Sequence, residues 1–421
     1  MKRKDALLLA FYFLLQIVLA VLYYGEQAQL DVDCAEYERQ ALECYAAGCW
    51  YPAPAHLHET WIQSVGMVNY LLLQYRLFGT FALGTVLNLL LSVGILWHIF
   101  HLARHFFSLR TARFAVLLHC LVLSNLFLPI HGLTELPFLF LCLSGFRLGL
   151  SERHGPLAAA GLCYALAYTF RPMALAFLLA TLVWHAAKRR VLRPAVLLAP
   201  FLLVVGGVGL HSRLNTGYFV TSATTGGFNL LMTANDRATG SPQLALYNDT
   251  AYLGYIPNAR ELTFHEKDSI WTARAVDWIR CHPARYAALY ARKLLLLHGE
   301  ESWAFPFIHS SYQRLGELPA DADQATAKAY GRERSRLRLV RIGCSLFYLL
   351  LLPAFLVSLF RLRRSIFSRR GILLLIWLTG TLGTCLFSVE PRYHYPYLFV
   401  IVIWVAALLA GEKPGDAKKS I

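Results

Sequence analysis

Apolar segments long enough to cross a lipid bilayer recur along this 421-residue chain, and they constrain its fold more than any other feature. A membrane-spanning helix needs about 20 mostly apolar residues, and in lipid its backbone polar groups must be satisfied within the helix. Hydrophobic residues make up 57% of the chain and charged residues only 15%. Soluble domains carry about 25% charged residues. The sequence therefore predicts an all-α polytopic membrane protein.

We expect ten transmembrane helices, at residues 6–24, 80–102, 114–128, 135–150, 157–170, 172–187, 194–211, 339–360, 371–388 and 395–410. Most lysines and arginines then fall in the short loops of one side, which is typical of cytoplasmic loops. This places both termini in the cytoplasm. It also explains the net charge of +15 without a nucleic-acid partner.

Two longer segments, residues 25–79 and 212–338, fall on the opposite side of the membrane. They divide the chain into an N-terminal transmembrane module at 1–211, a small mixed extracytoplasmic domain at 212–338, and C-terminal helices with a cytoplasmic tail at 339–421. Within the second segment we predict an amphipathic helix that begins near Asp268 and another that opens at Pro283. Cys34, Cys44, Cys49 and Cys281 lie outside, where disulfides persist, but their pairing does not follow from the sequence.

Acidic residues crowd the start of the first outer segment, immediately after the first apolar run. Asp33, Glu36 and Tyr37 have a spacing that places them on one face of a helix. An aspartate there can act as a general base toward a substrate hydroxyl. The same spacing also resembles a capping box, with Asp33 as the N-cap and Glu36 three residues later. Both interpretations stay open at this point.

Asp31 and Asp33 also form a D-x-D pattern, whose two carboxylates can share a divalent cation. His56, His58 and Glu59 add nitrogen and oxygen donors on the same segment, although a solvated surface loop is the simpler interpretation of these three. No cofactor is required by the sequence, and a divalent cation remains an alternative.

Single charges stand beside prolines on three other outer turns. Glu135 precedes Pro137, Arg171 precedes Pro172, and Glu390 and Arg392 flank Pro391. An isolated charge at a bilayer edge is often only a boundary marker. Because it recurs on three turns of one face, we expect a shared cavity in which an arginine binds phosphate through paired donors.

Several short motifs follow one another along the chain. They are Asp33-x-x-Glu36-Tyr37, Thr134-Glu135-Leu-Pro-Phe138, Arg171-Pro172, the segment from Gly226 through Asn235 to Gly240, Trp278-Ile-Arg-Cys-His-Pro283 and Glu390-Pro-Arg392-Tyr393-x-x-Pro396. Together they resemble the GT-C glycosyltransferases that use polyprenyl-phosphate sugars, especially the branch similar to dolichyl-phosphate-mannose–protein mannosyltransferases and aminoarabinose transferases. Each motif is weak alone, whereas six in order on one membrane face are fairly specific for the superfamily.

The resemblance implies a GT-C fold and sugar transfer from a polyprenyl-phosphate donor to an acceptor hydroxyl on a glycan, lipid or protein. It makes Asp33 the general base, with Asp31 as its partner or alternative. The residues expected to contact substrate are Glu36, Tyr37, His58, Glu135, Arg171, Asn235, Arg392 and Tyr393. Where the lipid A branch has a lysine beside an acid, this chain has Glu59-Thr60-Trp61, so the sugar stays open.

Two other functions remain as alternatives, a polysaccharide polymerase or ligase and a lipid-linked sugar flippase or transporter. A transporter is expected to carry ionisable residues near the middle of its spans, whereas the charges here gather at one face. We expect a bacterial inner membrane with the active site facing the periplasm. The alternative is the endoplasmic reticulum with a lumenal site, suggested by the sequon at Asn248 and the lysines near the C-terminus.

Overall fold

The computed structural model describes residues 3–23, 32–189, 192–243, 249–305, 308, 311, 315 and 323–414. These residues form helices and connecting loops, and none of them lies in a β-strand. The all-α prediction is therefore confirmed, whereas the mixed character expected of the outer domain is not. Asp31, Asn248 and the tail at 418–421 lie outside the described residues.

The first half of the chain contains helices that lead from the N-terminus to the start of the second outer segment. They are α1 Arg3–Leu22, α2 Val32–Ala46, α3 Val65–Phe78, α4 Leu83–Phe106, α5 Leu109–Leu121, α6 Ser124–Phe127, α7 Glu135–Gly149, α8 His154–Phe170, α9 Ala174–Ala187 and α10 Leu192–Thr216. Two 3-10 turns, Pro54–His58 and Leu128–Ile130, lie in the connections between these helices.

The second half contains the helices of the outer segment and the C-terminal part of the membrane domain. They are α11 Gly226–Leu231, α12 Phe264–Cys281, α13 Pro283–His298, α14 Gln324–Arg361, α15 Arg363–Ile366, α16 Gly371–Thr384 and α17 Tyr395–Leu409. A 3-10 turn at Pro391–His394 leads directly into α17.

Five segments are long and apolar enough to cross a membrane by themselves, and the ten predicted spans are not confirmed. The five are Asp5–Leu22, Leu83–Phe106, Leu192–Thr216, Gln324–Arg361 and Pro391–Leu409. A sixth arises if α5 and the following Ser124–Ile130, bent by 74°, form one broken span. Several other expected spans correspond to helices of 14 to 17 residues, which reach only about 21–26 Å at 1.5 Å per residue.

Helix α17 is the buried centre of the membrane domain. All its residues from Tyr395 to Ala407 are buried, and it packs against α5 and α14. A helix that is apolar on every side is stable only when neighbours cover it. In contrast, only 22% of the apolar window of α1 and of α10 is buried within the protein, as expected for helices that face lipid. The turn that precedes α17 is continuous with this buried helix and also packs against α13.

The outer segment folds over one end of this bundle around helix α12. Thr263 caps the helix and forms a capping box with Glu266, so α12 begins at Phe264, four residues before Asp268, where we predicted the start. Asp268 instead accepts the backbone N–H of Gly227 at 2.7 Å. A Cβ at Gly227 would overlap the Asp268 carbonyl oxygen, so this close approach requires glycine. The predicted start of α13 at Pro283 is confirmed.

Candidate active site

Side chains from four separate parts of the chain come together at one place in the fold. They form a group that we call the Asp33 cluster, which consists of Asp33, Tyr37, Glu135, Arg171, Glu390, Arg392 and Tyr393. Helix α2 supplies the first two, the junctions at the start of α7 and the end of α8 supply the next two, and the turn before α17 supplies the last three. The charged residues of these parts of the chain form a compact group, and the cavity expected between them stays a prediction.

Arg392 joins the first and last parts of the chain within this cluster. Its Nη2 donates to Asp33 Oδ2 at 2.6 Å, across 359 positions of sequence, and its Nε lies 2.6 Å from Glu390 Oε2. The Arg392 side chain is 14% exposed and that of Asp33 is 40% exposed. The guanidinium is therefore enclosed, while the aspartate lies at the edge of the cluster that solvent and a substrate can reach.

Arg171 and Glu135 form the second pair. Arg171 Nη2 donates to Glu135 Oε1 at 2.6 Å, and its Nε donates to Thr134 Oγ1 at 2.5 Å. Arg171 follows the last residue of α8 in an extended conformation, as a residue before proline prefers. Glu135 is fully buried, and its Oε2 has no hydrogen-bond partner among the described residues. A buried carboxylate oxygen without a partner is costly, and a ligand hydroxyl would satisfy it.

Two tyrosines complete the cluster. The guanidinium carbons of Arg171 and Arg392 lie 5.3 and 5.4 Å from the centre of the Tyr393 ring. Burial and the nearby Asp33 carboxylate raise the pKa of Tyr37 well above its ordinary value, against the opposing influence of the two arginines. Tyr37 therefore keeps its phenolic proton at neutral pH and is able to donate it in a hydrogen bond.

The capping interpretation of Asp33 is wrong in this structure. Helix α2 begins at Val32, so Asp33 lies inside its first turn. The Glu36 carboxylate accepts hydrogen bonds from Arg39 and Gln40 and does not return to the start of the helix. Local pairing at a spacing of three and four residues satisfies Glu36, whereas Asp33 is paired over a long distance in the chain.

The remaining predicted substrate contacts lie elsewhere. Glu36 belongs to a surface network in which Arg39 also binds Glu43 and Glu59. His58 Nδ1 lies 3.4 Å from the Leu262 carbonyl oxygen. Asn235 is buried, and its amide donates to the Leu231 carbonyl while its oxygen accepts the N–H of Arg237. These contacts shape loops and do not bring the three side chains to the Asp33 cluster.

The loop around residues 58–61, within the first outer segment, is fastened to the elements of the second. Lys267 Nζ, on helix α12, donates to the carbonyl oxygens of His58 and Glu59 at 2.8 and 3.0 Å. Burial lowers the pKa of Lys267. Trp61 stacks on Phe228 with ring centres 5.6 Å apart. The first outer segment is thus held at two places, at Asp33 by Arg392 and at residues 58–61 by Lys267 and Phe228.

Within the described part of the chain, no three histidine, cysteine, aspartate or glutamate side chains come together as metal ligands do. His56 is buried, with its Nδ1 beside the backbone of Ala53 and its Nε2 3.5 Å from Glu43, whereas His58 faces Leu262. Asp31, the second carboxylate of the D-x-D pattern, lies outside the described residues. Cys44, Cys49 and Cys281 form no disulfide with one another in the described structure.

A buried acid–histidine pair directly behind the cluster was not predicted. His394 Nε2 lies 2.5 Å from Glu301 Oε2, and both side chains are at most 1% exposed. His394 Nδ1 lies 2.9 Å from the Leu297 carbonyl, and Ser124 donates to the Glu301 carboxylate. The Tyr348 ring stacks on His394 at 4.4 Å. Two features of the sequence could have indicated this pair. His394 follows Arg392 by two residues, and the adjacent acids Glu300 and Glu301 follow the apolar end of α13.

Comparison with known proteins supports the fold. No family model and no curated protein matches the sequence. The solved structure of the oligosaccharyltransferase of Archaeoglobus fulgidus in its apo form is similar, with a TM-score of 0.53 and 13% sequence identity. The similarity covers 98% of this chain and 51% of the other, so this chain spans about half the length of that protein.

The apolar helices and this structural neighbour together identify a multi-pass membrane protein. At this identity the similarity concerns the fold. It agrees with the GT-C fold that the sequence motifs imply, and the chain shares the fold of that oligosaccharyltransferase.

Proposed function

We propose that the protein is a glycosyltransferase that moves a sugar from a polyprenyl-phosphate donor to an acceptor hydroxyl, with Asp33 as the general base. The observation that carries this proposal is the convergence of three carboxylates, two arginines and two tyrosines from four parts of the chain. Such preorganised charges are the means by which enzymes stabilise a charged leaving group. The similarity to an oligosaccharyltransferase supports glycosyl transfer as the reaction class.

In the proposed reaction, the acceptor hydroxyl loses its proton to the Asp33 carboxylate as its oxygen attacks the anomeric carbon. The bond between that carbon and the phosphate oxygen breaks, and its electron pair leaves with the phosphate. A single displacement of this kind inverts the anomeric centre. The charge that develops on the phosphate is balanced by Arg392 and Arg171, which are held in place by Glu390 and Glu135.

Asp33 suits the role of base because it is the carboxylate at the open edge of the cluster, at 40% side-chain exposure. Glu135 is fully buried, and its unpartnered Oε2 suits a hydroxyl of the sugar. Tyr37 and Tyr393 offer apolar ring faces and phenolic groups, a combination that suits a sugar ring. Asp31 remains an alternative or partner base.

The proposed setting is a bacterial inner membrane, with the Asp33 cluster on the periplasmic side. The module at 1–211 would supply the base and Arg171, and the segment at 339–421 would supply Arg392. The domain at 212–338 would cover the site and contact the acceptor. No metal is assigned to this mechanism, because the described carboxylates of the cluster are bound by arginines.

The test is sugar transfer in membranes that contain the full-length protein, with a panel of radiolabelled polyprenyl-phosphate sugars as donors. A positioned general base contributes about 10²- to 10⁴-fold to the rate, so Asp33→Asn is expected to lower transfer by that factor. Glu36→Gln is the matched control. It removes a carboxylate from the same helix whose partners are Arg39 and Gln40, and it should leave the rate within a few-fold of wild type.

Normal transfer by Asp33→Asn, at normal expression, would contradict the assignment of the base. If the wild-type protein transfers no sugar from any donor of the panel, the proposed reaction is wrong. A polymerase, a ligase or a transporter would then be the better hypothesis.

A further inference from the structure

A separate basic cleft lies where α14 meets the residues after α13. Its volume is about 320 Å³. Its described lining includes Glu300 and the side chains of Arg334, Arg338 and Arg341, with Ile342 and Leu349. None of these residues belongs to the Asp33 cluster. Helix α14 thus supplies both the basic part and the apolar part of the cleft.

The three arginines share one face of the helix, because residues at positions i, i+4 and i+7 are stacked along it. Arg341 is paired with Glu300, through Nε to Oε1 at 2.9 Å and a second contact from Nη2. Arg334 and Arg338 are exposed and form no ion pair within the described residues. Like charges at this spacing repel one another, so the cleft as it stands favours an anion.

The cleft lies at the level where a membrane begins. Residues 342–360 contain no charged side chain, and 19 residues of helix are about as long as the hydrocarbon core is thick. Ile342, Leu346 and Leu350 form an exposed apolar stripe on this part of α14. Arg341 is thus the last charge before the apolar span, and Arg338 and Arg334 follow at one-turn intervals toward the headgroup layer.

We propose that this cleft binds the phosphate group of an anionic membrane lipid. The arginines contact the phosphate, and the lipid chain packs along the apolar stripe. Paired guanidinium donors match phosphate geometry, and basic pockets beside membrane helices bind lipid headgroups. An acidic peptide or a nucleic acid would not use the apolar part of the cleft. The proposal concerns lipid binding and does not require that the protein transfer sugars.

The cleft is also close to the Asp33 cluster through the fold. Glu300 lines the cleft, while the adjacent Glu301 binds His394, two residues from Arg392. A lipid phosphate held here would therefore lie at the same end of the bundle as the cluster. Two lipids have the required chemistry, an anionic glycerophospholipid and a polyprenyl phosphate, and the test separates them from each other and from free phosphate.

The experiment measures lipid binding to the purified full-length protein by native mass spectrometry. The probes are phosphatidylglycerol, polyprenyl phosphate and, as the zwitterionic comparison, phosphatidylcholine, with inorganic phosphate as a competitor. The test variant is the double substitution Arg334→Gln/Arg338→Gln. The matched control is Arg332→Gln/Arg336→Gln, which removes the same charge from exposed positions of the same helix that do not line the cleft.

We expect one or both anionic lipids to bind more tightly than phosphatidylcholine. The test variant should weaken this binding by at least about tenfold, which corresponds to the loss of one charge-assisted contact, and the control should change it less than about twofold. Whichever anionic lipid binds better is the natural occupant under the proposal. Melting temperatures close to wild type in both variants establish that the substitutions act on binding.

Three results would overturn the proposal. Equal losses in the two double variants would show that general positive charge, and not the cleft, attracts the lipid. Complete displacement by inorganic phosphate would show a site for free phosphate without use of the apolar stripe. Equal binding of phosphatidylcholine and the anionic lipids would show that the arginines do not select lipids by their net charge.

Discussion

The turn at Pro391–His394 presents two basic side chains to two acids, and the two pairs differ in their surroundings. Arg392 meets Asp33, whose side chain is 40% exposed, whereas His394 meets Glu301 in a region where neither side chain is more than 1% exposed. An exposed acid can exchange a proton with a substrate, while a sealed pair can only hold the turn. The buried His394 thus anchors the turn that places Arg392 beside Asp33.

Loss of the sealed pair is expected to have the largest effect on stability. Glu301→Ala leaves His394 buried without its acid, and breaking a buried pair in this way costs about 3–5 kcal/mol. The expected result is a melting temperature lowered by several degrees in detergent.

Glu300→Ala is the neighbouring control for this substitution. Its pair with Arg341 is partly exposed, and exposed pairs contribute about 1 kcal/mol or less. Equal destabilisation by the two substitutions would remove the distinction between a sealed and an open pair.

Loss of Arg392 is expected to act on the reaction. Arg392→Gln removes the donor to Asp33, and the loss of one preorganised donor costs about 3 kcal/mol, roughly a hundredfold in rate. Sugar transfer by purified protein, measured at saturating donor, is the readout. Arg285→Gln serves as the control, because Arg285 forms a surface pair with Asp236. An unchanged rate in Arg392→Gln would show that the reaction does not take place beside the pair of Arg392 and Asp33.

Loss of Lys267, which holds the loop around residues 58–61, is expected to have a smaller effect. Lys267→Met removes the hydrogen bonds to the carbonyl oxygens of His58 and Glu59, and bonds from charged groups contribute about 1.5–3 kcal/mol. Residues 56–62 should then exchange their amide hydrogens faster, while transfer falls only a few-fold. Lys328→Met, at an exposed position, is the control. Protection unchanged in Lys267→Met would show that Trp61 alone holds this loop.

The capping box of α12 is expected to give the smallest effect. Thr263→Ala removes a cap that typically contributes about 1 kcal/mol. Hydrogen bonds from Thr263 lower the pKa of Glu266, so the Glu266 carboxylate stabilises the folded state above its unfolded pKa of about 4.3. That contribution is lost as the pH falls through the lowered value. The stability difference between wild type and Glu266→Gln should therefore be present at neutral pH and vanish in acid, as thermal unfolding at several pH values would show.

Much of the Asp33 cluster could be predicted from the sequence. Asp33, Glu135, Arg171 and Arg392 each stand next to an apolar run on the same predicted face, so the ends of neighbouring helices bring them together. Glu36, His58 and Asn235 were expected at the same place, but each is satisfied by partners close in the chain or by backbone. Residue type alone does not show whether a polar side chain joins the Asp33 cluster or is satisfied by partners close in the chain.

Other features depend on contacts between distant parts of the chain. The pair of His394 and Glu301 has no spacing pattern, because it joins two loops that meet only when α17 is buried. The span count was not confirmed, because hydropathy does not distinguish a full span from a shorter apolar helix covered by neighbours. Helix α9, for example, has 14 residues and packs against α16 within the bundle.

The most direct test measures two quantities on two variants, the rate of sugar transfer and the melting temperature of purified Asp33→Asn and Glu301→Ala. The account predicts that Asp33→Asn loses about a hundredfold or more in rate and keeps the wild-type melting temperature, whereas Glu301→Ala loses several degrees. A wild-type transfer rate in Asp33→Asn would contradict the account, because the acid at the open edge of the cluster would then have no part in the reaction.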